Sequence, residues 1–404
     1  MSYLNSSSPR FKYVSRFQKG KIPSALFKEK AEGRQPYLSM EYLRGQTTTP
    51  EYAEAQGALC AEDSDILLLW DGSNAGEFIW AKRGVVSSTA ALARPKDIQR
   101  SFFYYLCKHV EPTIRAETVG MGIPHVNGEF VDNIALSIPP LETQTKIANY
   151  LDRKTAELDQ LIAAKKKLLK LLDEKKRALI ARAATRGLNP DAPLKDSGIP
   201  WLGMIPEHWE VERVTNLFRE RDERGRPDLP LLVVSIHSGV TLREFSTDKI
   251  EQQAADSNTY KVALKDDISF NKMRMWQGAV GCVPCDGLVS PDYVVAAPSE
   301  GVCSDYYGML FKCPRFSDES ACRSHGIVWD RLRLYWDEFK DISVPVPPIS
   351  EQRDIVDGNH KQLSQFKELK SVTEKTISLL QERRTALISA AVTGKLSEEV
   401  LNGG

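Results

Sequence analysis

The feature that most constrains this chain is that it repeats itself. Pro139 and Pro140, followed by Gln144 and Ile147, recur as Pro347, Pro348, Gln352 and Ile355, an offset of 208 residues. Further on, Leu171, Leu172, Glu174, Ala178, Leu179, Ile180, Ala183, Thr185 and Leu188 match Leu379, Leu380, Glu382, Ala386, Leu387, Ile388, Ala391, Thr393 and Leu396 at the same offset. No insertion or deletion separates the matches. Two uninterrupted helices require this, because one extra residue turns every apolar side chain by about 100°.

Periodicity supports the helices. Leu151, Leu158, Leu172 and Leu179 share one heptad position, and Ile147, Leu161 and Leu168 share another. In the second copy, Phe366, Leu380 and Leu387 take the first position, with Ile355 and Leu369 on the second. This is a coiled-coil seam with long charged residues outside it. Gly and Pro are absent from Glu142 to Arg186, and the helices should stop at Gly187 and Gly394. A helix over Glu142–Thr185 would be about 66 Å long, too long for a flanking domain to wrap. Its expected partner is the other copy.

A mixed segment with short strand-like runs and Gly and Pro turns precedes each helix. These segments align weakly: Tyr13–Phe17 with Arg213–Leu217, Asp65–Ile66 with Asp267–Ile268, and Val86–Pro95 with Val289–Pro298. At 404 residues the chain exceeds one ordinary core. The expected fold is α+β: two globular domains separated by two long antiparallel helices forming a coiled coil, with a pseudo-twofold internal repeat. The boundaries fall at 1–140, 141–187, 188–348 and 349–404. A Pro/Gly-rich connector from Gly187 to Trp209 should be anchored by Trp201 and Trp209. Such an object is a ruler suited to a long regular polymer read at two places.

Composition narrows the partners. With 54 Lys plus Arg against 54 Asp plus Glu, the chain is no bulk polycation, so recognition must be local. The start, Met1–Ser8, lacks a basic stretch followed by an apolar one, and no apolar run approaches the roughly 20 residues of a membrane span. Seven scattered cysteines do not form a disulfide framework. A soluble, cytoplasmic protein is expected.

The repeated Pro-Pro-x-x-x-Gln opening, the Ala-Leu-Ile…Ala…Thr close and the connector from Asp196 to Trp209 resemble the specificity (S) subunit of type I restriction–modification enzymes. So does the run from Asn271 to Gly278 leading into Val289–Pro291. The first helix departs by opening with Glu142-Thr-Gln144 where the family favours Glu-Gln. The resemblance implies a non-catalytic reader of double-stranded DNA. Residues 1–140 and 188–348 would hold two target recognition domains, each reading half of a bipartite asymmetric target. The spacer helices would fix the unspecified gap and dock two methyltransferase (M) subunits, which carry S-adenosylmethionine and modify adenine. Restriction (R) subunits, with ATP and Mg2+, would join that core.

In the second domain Asn271, Lys272, Arg274, Trp276 and Gln277 form a polar, basic and aromatic loop. Arg and Lys bond guanine edges, whereas Asn and Gln bond adenine edges. The bland reading is an exposed turn with Met273 and Met275 packed beneath it. The first domain carries Trp70–Gly76 at the corresponding place, where Ser73 and Asn74 lie among small residues suited to phosphate approach; the bland reading is a simple hairpin. Lys82 and Arg83 follow. Arg44, His237 and Arg243 are weaker candidates, together with Ser238, His125 and Arg323. Lys165–Lys167 and Lys170 read better as a solvated helix face.

Catalysis finds little support. No Asn/Asp-Pro-Pro-Tyr/Phe sequence for adenine methylation and no phosphate-binding G-x-x-x-x-G-K-[ST] loop occurs. Cys282 and Cys285 raise zinc, but the second short-spaced pair is missing, so no metal site is expected. Two competing classes remain, a purely structural coiled-coil scaffold and a self-contained nuclease or methyltransferase. Charge is partitioned: Glu142–Gly187 holds 12 basic and six acidic residues, Glu351–Lys395 eight and six, and the remainder is net −8. The recognition domains therefore lack a broad electropositive field, and bound M subunits are expected to supply much of the phosphate grip.

Overall fold

The computed structural model describes residues 9–120, 122–243, 259–326 and 332–403. The start read above for a targeting signal, Met1–Ser8, lies outside them. The fold is mixed α+β. Its contacts divide into two compact units, one of Met1–Lys166 with Glu374–Gly404 and the other of Lys167–Thr373. Among the described residues no helix is long and apolar enough to cross a membrane.

The first unit opens with α1 (Phe11–Val14), β1 (Ser15–Lys19), β2 (Arg34–Leu38) and α2 (Met40–Leu43). Six strands follow: β3 (Tyr52–Glu54), β4 (Cys60–Ala61), β5 (Ile66–Leu69), β6 (Phe78–Trp80), β7 (Gly84–Val86) and β8 (Ala90–Pro95). Then come α3 (Arg100–Ala116), α4 (Gly128–Asn133) and the long α5 (Leu141–Arg186). One sheet runs β1-β8-β5-β6 and a second runs β3-β2-β7-β4. The β5 strand reads Ile-Leu-Leu-Leu and is buried throughout, as expected of a strand covered on both faces.

The second unit carries β9 (Leu194–Asp196), β10 (Met204–Pro206), β11 (Glu210–Arg213), α6 (Val214–Leu217) and β12 (Phe218–Glu220). Its remaining strands before the helices are β13 (Leu232–Ser235), β14 (Gly239–Leu242), β15 (Lys261–Ala263), β16 (Ile268–Asn271), β17 (Val280–Cys282), β18 (Gly287–Val289) and β19 (Tyr293–Pro298). The helices α7 (Ser304–Phe311), α8 (Pro314–Arg323) and α9 (Trp336–Phe339), then β20 (Ser343–Val346), lead into the long α10 (Ile349–Val392) and the short α11 (Glu398–Gly403). The central sheet runs β12-β19-β16-β17, all antiparallel. This is the order of β1-β8-β5-β6 in the first unit, so the weak sequence repeat is a repeat of topology.

The repeated glutamine has a physical reason. Gln144 is 3 % exposed; its Oε1 accepts from the Gln99 N–H at 2.9 Å and its Nε2 donates to the Pro139 carbonyl at 2.8 Å. Gln352 is 2 % exposed and does the same with the Cys303 N–H at 3.0 Å and the Pro347 carbonyl at 2.9 Å. Gln99 and Cys303 are the N-caps of α3 and α7. Each glutamine thus staples the first turn of a long helix to the start of a helix of its own globular domain, α3 or α7. The connector is anchored too: Trp209 is fully buried and donates to Glu351 at 3.0 Å, and Trp201 donates to the Ser343 carbonyl at 3.2 Å.

Within each unit, an ion pair joins α5 to α10, and the two pairs run in antiparallel order. Arg384 bonds Asp159 at 2.9 Å in the first unit, and Lys370 lies 4.0 Å from Asp173 in the second. Gly187 and Gly394 end the helices at φ +71° and +70°. The seam departs from the sequence reading. Leu151 and Leu158 are buried, and Ala148, Thr155 and Ile162 are buried along the same stretch of α5, whereas Leu161 is 51 % exposed and Leu369 45 %. Ile147 and Ile355 are buried in the cores of their own units. Thr155 and Thr373 tolerate burial because each hydroxyl donates to the carbonyl four residues earlier. The displaced leucines leave apolar side chains exposed at repeat-related positions, Leu161 with Leu369 and Leu171 with Leu379.

Candidate nucleic-acid interface

In the second unit, β16 and β17 present the loop Lys272–Ala279. Met275 is fully buried at its base, and Gly278 closes the turn at φ +85°, a conformation that favours glycine. Met273 is exposed, so one methionine packs beneath the loop and the other does not. The Asn271 side chain accepts from the Met273 N–H at 2.9 Å, and the Trp276 indole donates to the Met273 carbonyl at 3.1 Å. The Lys272 ammonium lies 5.7 Å from the Tyr335 ring centre. Arg274 and Gln277 extend to solvent.

The fold adds a residue that the sequence reading missed. Tyr293 on β19 stands opposite Asn271 on β16. Burial pushes its phenol up, opposed by a hydrogen bond with Asn271 and by the charges of Arg243 and Arg274. Asn271 and Tyr293 therefore form a polar pair within the field of Arg243 and Arg274. His237 is not part of it. It lies in the turn at the far end of β14 from Arg243, where its carbonyl lies 3.5 Å from the Lys312 ammonium and Ser235 receives the His237 and Ser238 N–H groups. Arg323 is tied to Glu319 at 2.9 Å on α8.

In the first unit the matching loop, Trp70–Glu77, joins β5 to β6. Asp71 is its centre: Lys19 and His125 each approach it to 2.6 Å. Burial pushes the Asp71 carboxyl up, but hydrogen bonds from Lys19 and His125 outweigh it and hold the group below its ordinary value. Ser73 is exposed and Asn74 half-buried at the tip, and Arg44 reaches Glu77 at 2.6 Å. Gly76 has φ +88°, and a Cβ there would meet Arg115 at 2.8 Å. Lys82 and Arg83 lie beyond β6, in a separate pocket with Lys30, Arg34, Gln35, Pro36, Tyr42 and Asp63. The Lys165–Lys170 run faces mostly outward.

Among the described residues no group of three or more His, Cys, Asp or Glu is placed to hold a metal ion. Burial, then the nearby Asp305, pushes the Cys282 thiol well up, so it is a poor thiolate donor.

Residues 10–171 match the family model of the type I restriction modification DNA specificity domain. The chain is 36 % identical over 201 residues to the type I restriction enzyme MjaVIII specificity subunit of Methanocaldococcus jannaschii, an alignment covering 49 % of this chain and 46 % of that protein. Residues 10–171 are thus similar to the DNA specificity domain of type I restriction–modification systems. The matched segment spans about half the length of that curated relative. Solved structures agree on the fold. The HsdS subunit from Thermoanaerobacter tengcongensis superposes with a TM-score of 0.51 at 16 % identity, over 95 % of this chain and 97 % of that one. A chain solved in work on complex assembly and conformational transition of the type I R–M system gives 0.65 at 14 % identity, over 95 % and 98 %.

Within this shared topology the two frames carry different chemistry. The pair Asn271 and Tyr293 occupies the place that Leu69 and Ala90, both buried, hold in the first unit. The backbone repeats and the surface does not.

Proposed function

We propose that the chain is the DNA-reading subunit of a type I restriction–modification complex, and that its two globular domains read the unlike halves of a bipartite target. The observation that carries this reading is the pair of matching strand–loop–strand frames with different side chains. A shared frame suits a shared approach to the duplex, and unlike side chains suit unlike base sequences. The long helices, 46 and 44 residues, or about 69 and 66 Å, set the gap between the halves. Major-groove sites one helical turn apart lie about 34–36 Å from each other, well within that reach.

Two M subunits dock on the helices, where Leu161, Leu171, Leu369 and Leu379 leave apolar surface exposed in repeat-related pairs. Methylation with S-adenosylmethionine and the ATP- and Mg2+-dependent step belong to the M and R subunits. This chain contributes the address.

Arg274 is the contact most open to test, since its guanidinium is exposed beside Asn271 and Tyr293. In a complex with the M subunit, Arg274→Ala should relax discrimination at one or two positions of a single half-site by about 1–3 kcal/mol. Binding to a panel of single-base target variants reads this out. Equal loss across both halves, or none, would count against a base-reading role.

A further inference from the structure

The pocket around Lys82 concentrates positive charge in a chain whose total is zero. It has a volume of about 470 Å³ and is lined by Lys30, Arg34, Lys82 and Arg83, with Asp63 the one carboxylate among its lining residues. Parallel pairing of β2 with β7, Tyr37 opposite Val85, brings residues far apart in sequence to one wall. The Lys82 ammonium is fixed there, 2.6 Å from the Tyr42 carbonyl and 4.3 Å from the Tyr42 ring centre. Arg34 lies on the Phe27 ring at 3.4 Å. Stacking of this kind holds the guanidinium while leaving its N–H edge open to an acceptor.

Two other arginines of this unit are neutralised: Arg94 bonds the buried Asp65 at 2.9 Å and Arg44 bonds Glu77 at 2.6 Å. Lys30, Arg34 and Lys82 make no ion pair among the described residues, and Arg83 has only the exposed Glu62 at 3.6 Å. Four cations, one carboxylate and the Tyr42 ring around one pocket suit a singly charged, hydrogen-bond-accepting anion of phosphate size.

We propose that this pocket binds a backbone phosphodiester of duplex DNA, so that the first recognition domain carries its own phosphate clamp apart from the Trp70–Glu77 loop. The assignment rests on the DNA-reading function proposed above. It also revises the expectation from charge partition: the recognition domain lacks a broad positive field but gathers charge at one point.

The test uses the chain co-expressed with its M subunit and compares wild type with the Lys30→Ala/Arg83→Ala double variant, both side chains being exposed. Arg34→Gln is a second, independent variant. Affinity for a methylation-target duplex and for an unrelated duplex is measured across a salt series. Each lost phosphate contact should make the slope of log affinity against log salt shallower by about 0.9. Affinity should fall by a similar factor for both duplexes. An unchanged slope in both variants would overturn the proposal, as would a loss confined to the target duplex. Inorganic phosphate supplies the other arm. If it stabilises wild type against unfolding but not the variants, while the DNA slope stays unchanged, the pocket serves free phosphate and the assignment to DNA is wrong. A wild-type complex that does not prefer its target would sink the DNA-reading function itself, a result visible without any variant.

Discussion

Replacing Gln352 by leucine should destabilise the second unit by about 3 kcal/mol. The substitution strands a part-buried N–H at Cys303 and a buried carbonyl at Pro347, each costing about 1–3 kcal/mol when left unpaired. Leucine recovers part of this through apolar burial. Gln144→Leu should act equally on the first unit, through Gln99 and Pro139. Denaturant unfolding reads both, and the Trp209 indole, buried beside α10, reports on the second unit. A loss below about 1 kcal/mol would mean that the glutamine merely fills space. The effect is large because a folded domain typically holds only about 5–15 kcal/mol of net stability.

The second large effect concerns assembly. Leu161 is 51 % exposed and Leu369 45 %, so glutamate at both should leave folding nearly unchanged. If these leucines anchor M subunits, each charge placed in a desolvated contact should cost about 2 kcal/mol or more, roughly 30-fold in affinity. The double variant should then fail to co-purify with the M subunit while unfolding at the wild-type midpoint. Retained M binding would move the docking surface elsewhere. A lost midpoint would show that the leucines support the fold.

Much of the architecture was legible because helices write their phase into sequence. The 208-residue register, the stops at Gly187 and Gly394 and the buried Gln144 and Gln352 all follow from local chemistry. The seam was misread for a reason equally physical. Leu158 can be paired with Leu161 or with Ile162, since both +3 and +4 neighbours lie on one face. The helices use Ile162, and Thr155 sits in the seam because its hydroxyl bonds back to Leu151. Heptad counting on leucines cannot see that choice.

The candidate interface was legible only in its local parts. The Asn271–Gln277 loop stands out as a sequence run, but Tyr293 reads as an ordinary strand residue until β19 pairs with β16. Arg34 likewise gains meaning only when β2 lies beside β7. Both depend on long-range pairing, for which one sequence holds no local signal. His237 and Arg243 sit within seven residues of each other yet at opposite ends of one strand, which proximity along the chain conceals.

The central claim is that two unlike readers are held apart by a helical spacer. Its most direct test is the map of methylated adenines made by the chain co-expressed with its M subunit, with and without a four-residue insertion near Lys165–Lys167. Four residues add about one turn, or 6 Å, to α5, and a matching insertion in α10 keeps the pair in register. The wild-type complex should methylate a gapped, asymmetric two-part sequence, and the insertion should change the gap while both halves stay the same. A continuous palindrome, or a gap that ignores the insertion, would contradict the account.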